Sequence, residues 1–325
     1  MKKKLSLLLL GLLFASFINV QTIKAASEAD IAFANAYNAT INADKNKTQA
    51  SIDSARTAIA SLCNTSASWA SGEFSKQVDL IQQKYLKDNS IITSAASFNA
   101  VLRAALENFD SKSTLKIQNF STFTYNFDSI DSILNETPIL DYGYNGCSWK
   151  RTAPDSNNIT TIELTLDYSR SKAIMQKMKS DTEQKAKEIL NTVITPNMTD
   201  LQKEYAIHDY IVNNCMYDFQ NYNLDTMPPE DFTDYGVLVD GIGVCEGYAK
   251  AMFRLLNSAG VKCIYITGIA GGGPHAWNKV VIDGVTYHVD ATWDDPVSRN
   301  GKSTLSHDYF NLTDEQMSKD HTWYQ

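Results

Sequence analysis

The sequence predicts an α+β protein, with a helical region leading into a mixed region of helices and antiparallel strands. Three observations carry this. Pro is absent before Pro138 and 11 of the 15 Gly fall at or after Gly236, so the residues that shape turns are concentrated late in the chain. The run ASFNAVLRAALENF spaces its apolar residues at helical intervals, whereas strand-like patterns begin near Thr114. Asp283-Gly284 then separates two β-rich runs, a strong two-residue hairpin signal.

At the start, Lys2, Lys3 and Lys4 precede an apolar run from Leu5 to about Val20, with small residues at Ala25 and Ala26. The run is shorter than the ~20 residues a membrane span needs and reads as a secretory leader, residues 1–25, cut after Ala25. A secreted or cell-surface protein with no other membrane span is expected. That leader holds four lysines and no acids, so its loss takes the net charge from −8 to −12. A chain this acidic lacks the clustered Lys and Arg that a nucleic-acid backbone requires. Five cysteines, Cys63, Cys147, Cys215, Cys245 and Cys263, leave at least one thiol outside any intramolecular pairing. Their spacing matches no zinc pattern, and no metal or cofactor is expected.

Residues 26–112 read as short helices, in which Leu102, Ala105, Leu106 and Phe109 share a face. Residues 113–194 form an α+β lead-in: strand-like runs TLKIQNFSTFTYNF, GCSWKRT and ITTIELTLDYS, then an amphipathic helix over about 171–193. Residues 195–325 open with a second helix whose Thr199-x-x-Gln202 resembles a capping box. His208 within it reads as a packing or surface residue.

The chemistry concentrates in residues 236–296. GVLVDGIGVCEGYAKAMFRLLNSAG runs from a Gly-rich entry into a helix with Cys245 at its start. Tyr248, Met252, Leu255, Leu256 and Ala259 supply the buried face, Gly260 the stop, and Glu246 a first-turn acid. A helix N-terminus favours thiolate, which is the nucleophile, and the flanking glycines are expected to admit a substrate backbone. A loop GIAGGGPHAWN delivers His275 to the next strand. With Asp283-Gly284 as the turn, Trp277 opposes Asp290 and His275 opposes Thr292, so His275 and Asp290 become diagonal neighbours on one face at ~7–8 Å. An Asp orienting a His that faces a Cys is an acyl-transfer arrangement. His288 shares the face and reads as packing; Asp294 and Asp295 before Pro296 read as a turn rather than a calcium site. Tyr217 and Tyr235 are candidate oxyanion donors beside the Cys245 amide.

Taken with YAIHDYIVNNCMYD upstream, the stretches GVCEGYAKAMFRLL, HAWNKV and YHVDATWDDP resemble the transglutaminase-like superfamily, the papain-like Cys-His-Asp acyltransferases and peptidases. The ending HDYFNLTDEQMSKDHTW is similar to the tail of secreted bacterial members. The resemblance covers roughly residues 195–325 and implies a Cys245–His275–Asp290 triad, with the Cys helix packed on an antiparallel sheet. It also implies thioester chemistry on a protein or peptide substrate, by crosslinking or hydrolysis. The competing reading is a non-catalytic surface-binding module that keeps the fold.

Overall fold

The computed structural model describes residues 28–46, 48–86, 91–295 and 305–323; the leader expected over residues 1–25 lies outside them. Among the described residues no helix is long and apolar enough to cross a membrane.

Three helices come first: α1 (Glu28–Asn46), α2 (Gln49–Leu62) and α3 (Ser71–Leu86). They bury Phe33, Ala36, Ile52, Ile59, Phe74 and Val78 against one another. Thr48 and Ser51 close a capping box at the start of α2.

The helix expected within residues 96–109 is α4 (Ala95–Glu107), begun by a second capping box at Ser94. Its apolar face packs on a sheet, while the helix also touches α2 and α3. Phe98, Leu102, Ala105 and Leu106 share a core with β1 (Lys112–Gln118), β2 (Tyr144–Arg151), β3 (Ile159–Tyr168) and α5 (Ser129–Glu136). The sheet order is β1-β3-β2, all antiparallel. Phe109 departs from the expected face. Its φ of 52° is left-handed, so the chain turns off the helix there and sends the ring to Tyr142, Met175 and Met178. The first strand-like run is also shorter than expected, because the chain after Gln118 turns away. Tyr125 and Phe127 pack there edge-on to Phe98, and Phe127 stacks on Trp149.

Next come α6 (Lys172–Val193) and α7 (Asp200–Asn214), the latter opened by the Thr199–Gln202 capping box that the sequence predicts. A short parallel pair, β4 (Met216–Tyr217) and β5 (Ile242–Gly243), brackets the one-turn helix α8 (Phe219–Leu224). The helix α9 (Cys245–Ser258) then packs on β6 (Cys263–Ala270), β7 (Gly273–Ile282) and β8 (Val285–Val289). After α10 (Asp314–Met317), β9 (His321–Trp323) adds to β6 and gives the order β8-β7-β6-β9. Ile207, Ile211, Tyr248, Met252, Leu255, Val280, Ile282 and Val289 form the shared core.

Both hairpins of this sheet turn on two residues with positive φ: Gly271 and Gly272 at 58° and 83°, Asp283 and Gly284 at 51° and 79°. Such turns match the right-handed twist of the strands they join. The long loop expected before His275 is thus only the Gly271–Gly272 turn, and His275 sits inside β7, paired with Gly268. Two buried cations brace α9 against the lead-in segment through Tyr142 and Asp141, and pair with Asp234 and Glu246 of their own unit. Arg254 reaches Asp234 at 2.5 Å and Tyr142 Oη at 2.9 Å, while Lys250 reaches Glu246 at 2.7 Å and Asp141 at 3.5 Å. Removing one partner of such a pair strands a buried charge, so these contacts fix how the two units dock.

Candidate active site

Cys245 is the first residue of α9, with Val244 as an N-cap that offers no side-chain bond. The early amides of the helix are therefore left for other partners. Tyr248, Met252, Leu255 and Leu256 are fully buried beneath it, which fixes the helix and hence the thiol. Gly260, with φ 84°, ends the helix region as expected.

The flanking glycines do something other than admit a substrate. A Cβ on Gly243 or Gly247 would collide with the Asp231 carbonyl and the Val237 side chain. The chain's own segment fills that space, and the Val244 amide donates to the Asp231 carbonyl at 3.0 Å. These glycines therefore let residues 231–237 press against the base of the nucleophile turn.

The pairing of β7 with β8 runs Asn278↔Val289 to Ile282↔Val285, the register that the Asp283-Gly284 turn predicts. The ladder stops there, because the Asp290 amide donates instead to the Tyr309 carbonyl at 3.0 Å. Asp290 thus ends just beyond the strand, with His275 Nε2 donating to its Oδ2 at 2.6 Å. Nδ1 is the ring nitrogen that Asp290 leaves over, and Cys245 is near enough to raise the His275 pKa. Burial alone would push His275 down, but the bond to Asp290 and the neighbouring Cys245 outweigh it and lift its pKa to about 10. Burial would likewise raise Asp290, yet His275 and His321 hold it down at about 2. A charged imidazolium–carboxylate pair at neutral pH follows, and it directs positive charge at the sulfur.

Asp290 is more elaborately held than the sequence suggests. Its Oδ1 accepts from the amides of Thr292 (2.9 Å) and Trp293 (3.2 Å), and His321 Nε2 lies 3.2 Å from Oδ2. His321 also meets Asp320 at 2.6 Å. It escaped the sequence reading because only the pairing of β9 with β6 brings it in; the KDHTW stretch carries no local signal beyond a His beside aromatic and acidic residues. Gly268 is the hinge of that pairing, since a Cβ there would strike the Thr322 carbonyl. Trp277 and Trp293 both lie 5.8 Å from the His275 ring, shielding it from water. The donor atoms of His275, Asp290 and His321 are mutually close enough to hold a cation, though here they serve to orient His275.

Tyr217, on β4, lies close to Cys245, and burial first and the neighbouring Cys245 second raise its hydroxyl pKa, so it stays a phenol. Tyr235 is elsewhere, among Asp240, Asp181, Lys177 and Glu230 and against the Phe109–Tyr142 cluster. Glu246 pairs with Lys250 one turn on. His288 accepts from Trp277 Nε1 at 2.8 Å and donates to Asp314 at 2.8 Å, a buried structural relay. Asp294 and Asp295 form the expected turn, with Asp295 accepting from Tyr248 Oη at 2.7 Å. All five cysteines are free thiols. Cys215 and Cys263 are buried, and burial pushes Cys215 up to about 12.

Residues 187–291 match the family model described as the transglutaminase-like superfamily, a span that holds Cys245, His275 and Asp290. Kyphoscoliosis peptidase from Homo sapiens and from Mus musculus are 28% and 27% identical over 121 residues. The match covers 33% of this chain and only 18% of either relative. Among solved structures, a TGase aligns at 14% identity and TM-score 0.33, over 67% of this chain and 64% of that one. A Cytophaga hutchinsonii protein named provisionally as a cysteine protease aligns at 16% identity and TM-score 0.29, over 51% and 71%. A helix that begins at Cys245 and packs on an antiparallel sheet, the placement of His275 beside Asp290 and the matching span agree: residues 187–291 form a domain of the transglutaminase-like superfamily.

Proposed function

We propose that this protein is an exported cysteine acyl-transfer enzyme acting on protein or peptide amides, with Cys245 as nucleophile, His275 as general acid and base, and Asp290 as its orienting partner. The hydrogen bond from His275 to Asp290, with Cys245 near enough to raise the His275 pKa, carries the reading. The Cys245 sulfur attacks a carboxamide or peptide carbonyl; His275 gives its proton to the departing amine. The resulting thioester is resolved by water or by an amine whose proton His275 takes up. The Cys245 amide and the Tyr217 hydroxyl are the proposed oxyanion donors. Beside Tyr217, Phe219, Tyr222 and Leu224 are exposed, an apolar rim suited to a polypeptide rather than a small polar substrate.

Incubation with a dye-labelled primary amine and a glutamine-containing protein tests this. Label incorporation that requires Cys245 identifies a transferase; ammonia or new N-termini without incorporation identifies a hydrolase. Neither product above the Cys245→Ala background would return the protein to the binding-module reading.

A further inference from the structure

We propose that His208, Asp209 and His307 form a binding site for a zinc-class divalent cation, which clips the C-terminal segment to α7. His208 Nδ1 lies 3.2 Å from Asp209 Oδ1, and His307 Nε2 lies 2.8 Å from the same oxygen. The three donor atoms are all within 4.8 Å of one another. Ligands at ~2.0–2.2 Å around a tetrahedral zinc stand about 3.4 Å apart, so His208 Nδ1 and His307 Nε2 would each draw back from Asp209 Oδ1, by about 0.2 Å and about 0.6 Å. Two imidazoles and one carboxylate suit Zn2+ or Co2+ rather than Ca2+ or Mg2+, which prefer oxygen shells.

The surroundings fit a ligand site beyond a simple hydrogen bond. The second nitrogen of His208 faces Asp294 Oδ2 at 3.1 Å, and Asp294 is itself fixed by the Tyr309 amide at 2.9 Å. A carboxylate on the far nitrogen is the usual support of a metal-bound imidazole, orienting the ring and raising its basicity. His208 is fully buried, and His307 is stacked on Tyr205 at 4.6 Å between ring centres. The side chains of Asp209 and His307 keep 27% and 30% of their exposure, which leaves an entry path and an open position for water.

The clip joins residues 98 apart in sequence. The segment it fastens supplies the Tyr309 carbonyl to the Asp290 amide and carries His321 to the Asp290 carboxylate. Bound cation therefore secures the outer support of the triad while its ligands lie outside the triad itself.

The test is titration of the chelator-stripped full chain with Zn2+ by calorimetry and with Co2+ by visible absorption. One equivalent should bind to the wild type and to Cys245→Ala, with a tetrahedral cobalt spectrum, and zinc should raise the melting temperature. Asp209→Asn, which keeps an acceptor but loses the charge, should weaken binding by about 100-fold or more with the fold intact by circular dichroism. His307→Ala should do the same, and Asp294→Asn should cost about 10–100-fold, the usual effect of removing an outer partner. Absence of saturable binding in the wild type would overturn the proposal. So would binding that survives Asp209→Asn and His307→Ala but vanishes in Cys245→Ala with a sulfur-to-cobalt band, since the cation would then sit on the triad thiol.

Discussion

The α1–α3 unit and the unit that carries Cys245 bury very different things. The first is filled with Ala, Ile and Phe, and among its described side chains the buried polar ones are few: Thr40, Ser51, Asp79 and Gln82. The second buries Glu204, His208, Asp231, Asp234, Lys250, Arg254, His275, His288, Asp290, Asp294 and His321. A buried charge costs several kcal/mol unless it is paired and hydrogen-bonded, so a core of this kind survives only with nearly every partner in place. Apolar burial gives stability without a single required geometry; buried polar chains give the geometry and make it fragile.

The largest effect should come from cutting those chains at the triad. Cys245→Ala should abolish thioester formation while leaving the fold untouched. Asp290→Asn, which keeps the shape but not the charge opposite His275, should lower kcat/KM by about 10³–10⁴, as an orienting carboxylate does. Steady-state kinetics with circular dichroism on both variants checks this; equal abolition would assign Asp290 a direct part in bond making.

Next in size is a truncation. A chain starting at residue 91 should fold and keep its activity without α1–α3. A chain starting at residue 110 should not. It would lose Ile92, Phe98, Val101, Leu102, Ala105 and Leu106 from the core beneath β1–β3. Each large side chain among them contributes about 1.5–3 kcal/mol on burial, and together they approach the ~5–15 kcal/mol that stabilises a whole domain. Thermal melts of the two fragments decide it, and a stable 110–325 fragment would show that α4 is dispensable.

Much of this was readable from sequence because its causes are local. The helix start at Cys245 follows from the Gly-rich entry and the apolar spacing behind it, and Asp283-Gly284 sets the register that brings Asp290 to His275. Contacts between distant segments left no such trace. His321 reaches Asp290 only after β9 joins β6. Gly243 and Gly247 look like substrate clearances until residues 231–237 are seen filling them. The helix of residues 95–107 shows its apolar face in the sequence but not the sheet that covers it. His208 and His307 match no metal spacing because the fold, rather than a motif, brings them together.

A smaller effect should appear with pH, chiefly from the unit that carries Cys245. Burial and a hydrogen bond to Asp218 lift Asp231 to about 7, and burial lifts Glu204 to about 7. A carboxyl raised in the folded state favours folding while protonated, so that stability is present below the ordinary values of 3.8 and 4.5 and is lost as pH rises through 7. His275, raised to about 10, adds stability below 6.5 that is lost as pH rises through 10. Asp290, depressed to about 2, contributes above 3.8 and fails only as pH falls through 2. The melting temperature should therefore decline from about pH 5 towards pH 9, and Asp231→Asn should flatten the first part of that decline. An unchanged slope in that variant would place the titrating group elsewhere.

The central claim is that Cys245 is the activated nucleophile and His275 its charged partner. Alkylation of the native protein with iodoacetamide at about pH 6, followed by peptide mapping, tests it most directly. Cys215 and Cys263 are shielded by burial, and Cys245 is the cysteine beside His275, so one equivalent should fall on Cys245 and stop activity. His275→Ala should slow that labelling, because the thiolate loses its imidazolium. Labelling of Cys63 or Cys147 ahead of Cys245, or an unchanged rate at Cys245 in His275→Ala, would contradict the account.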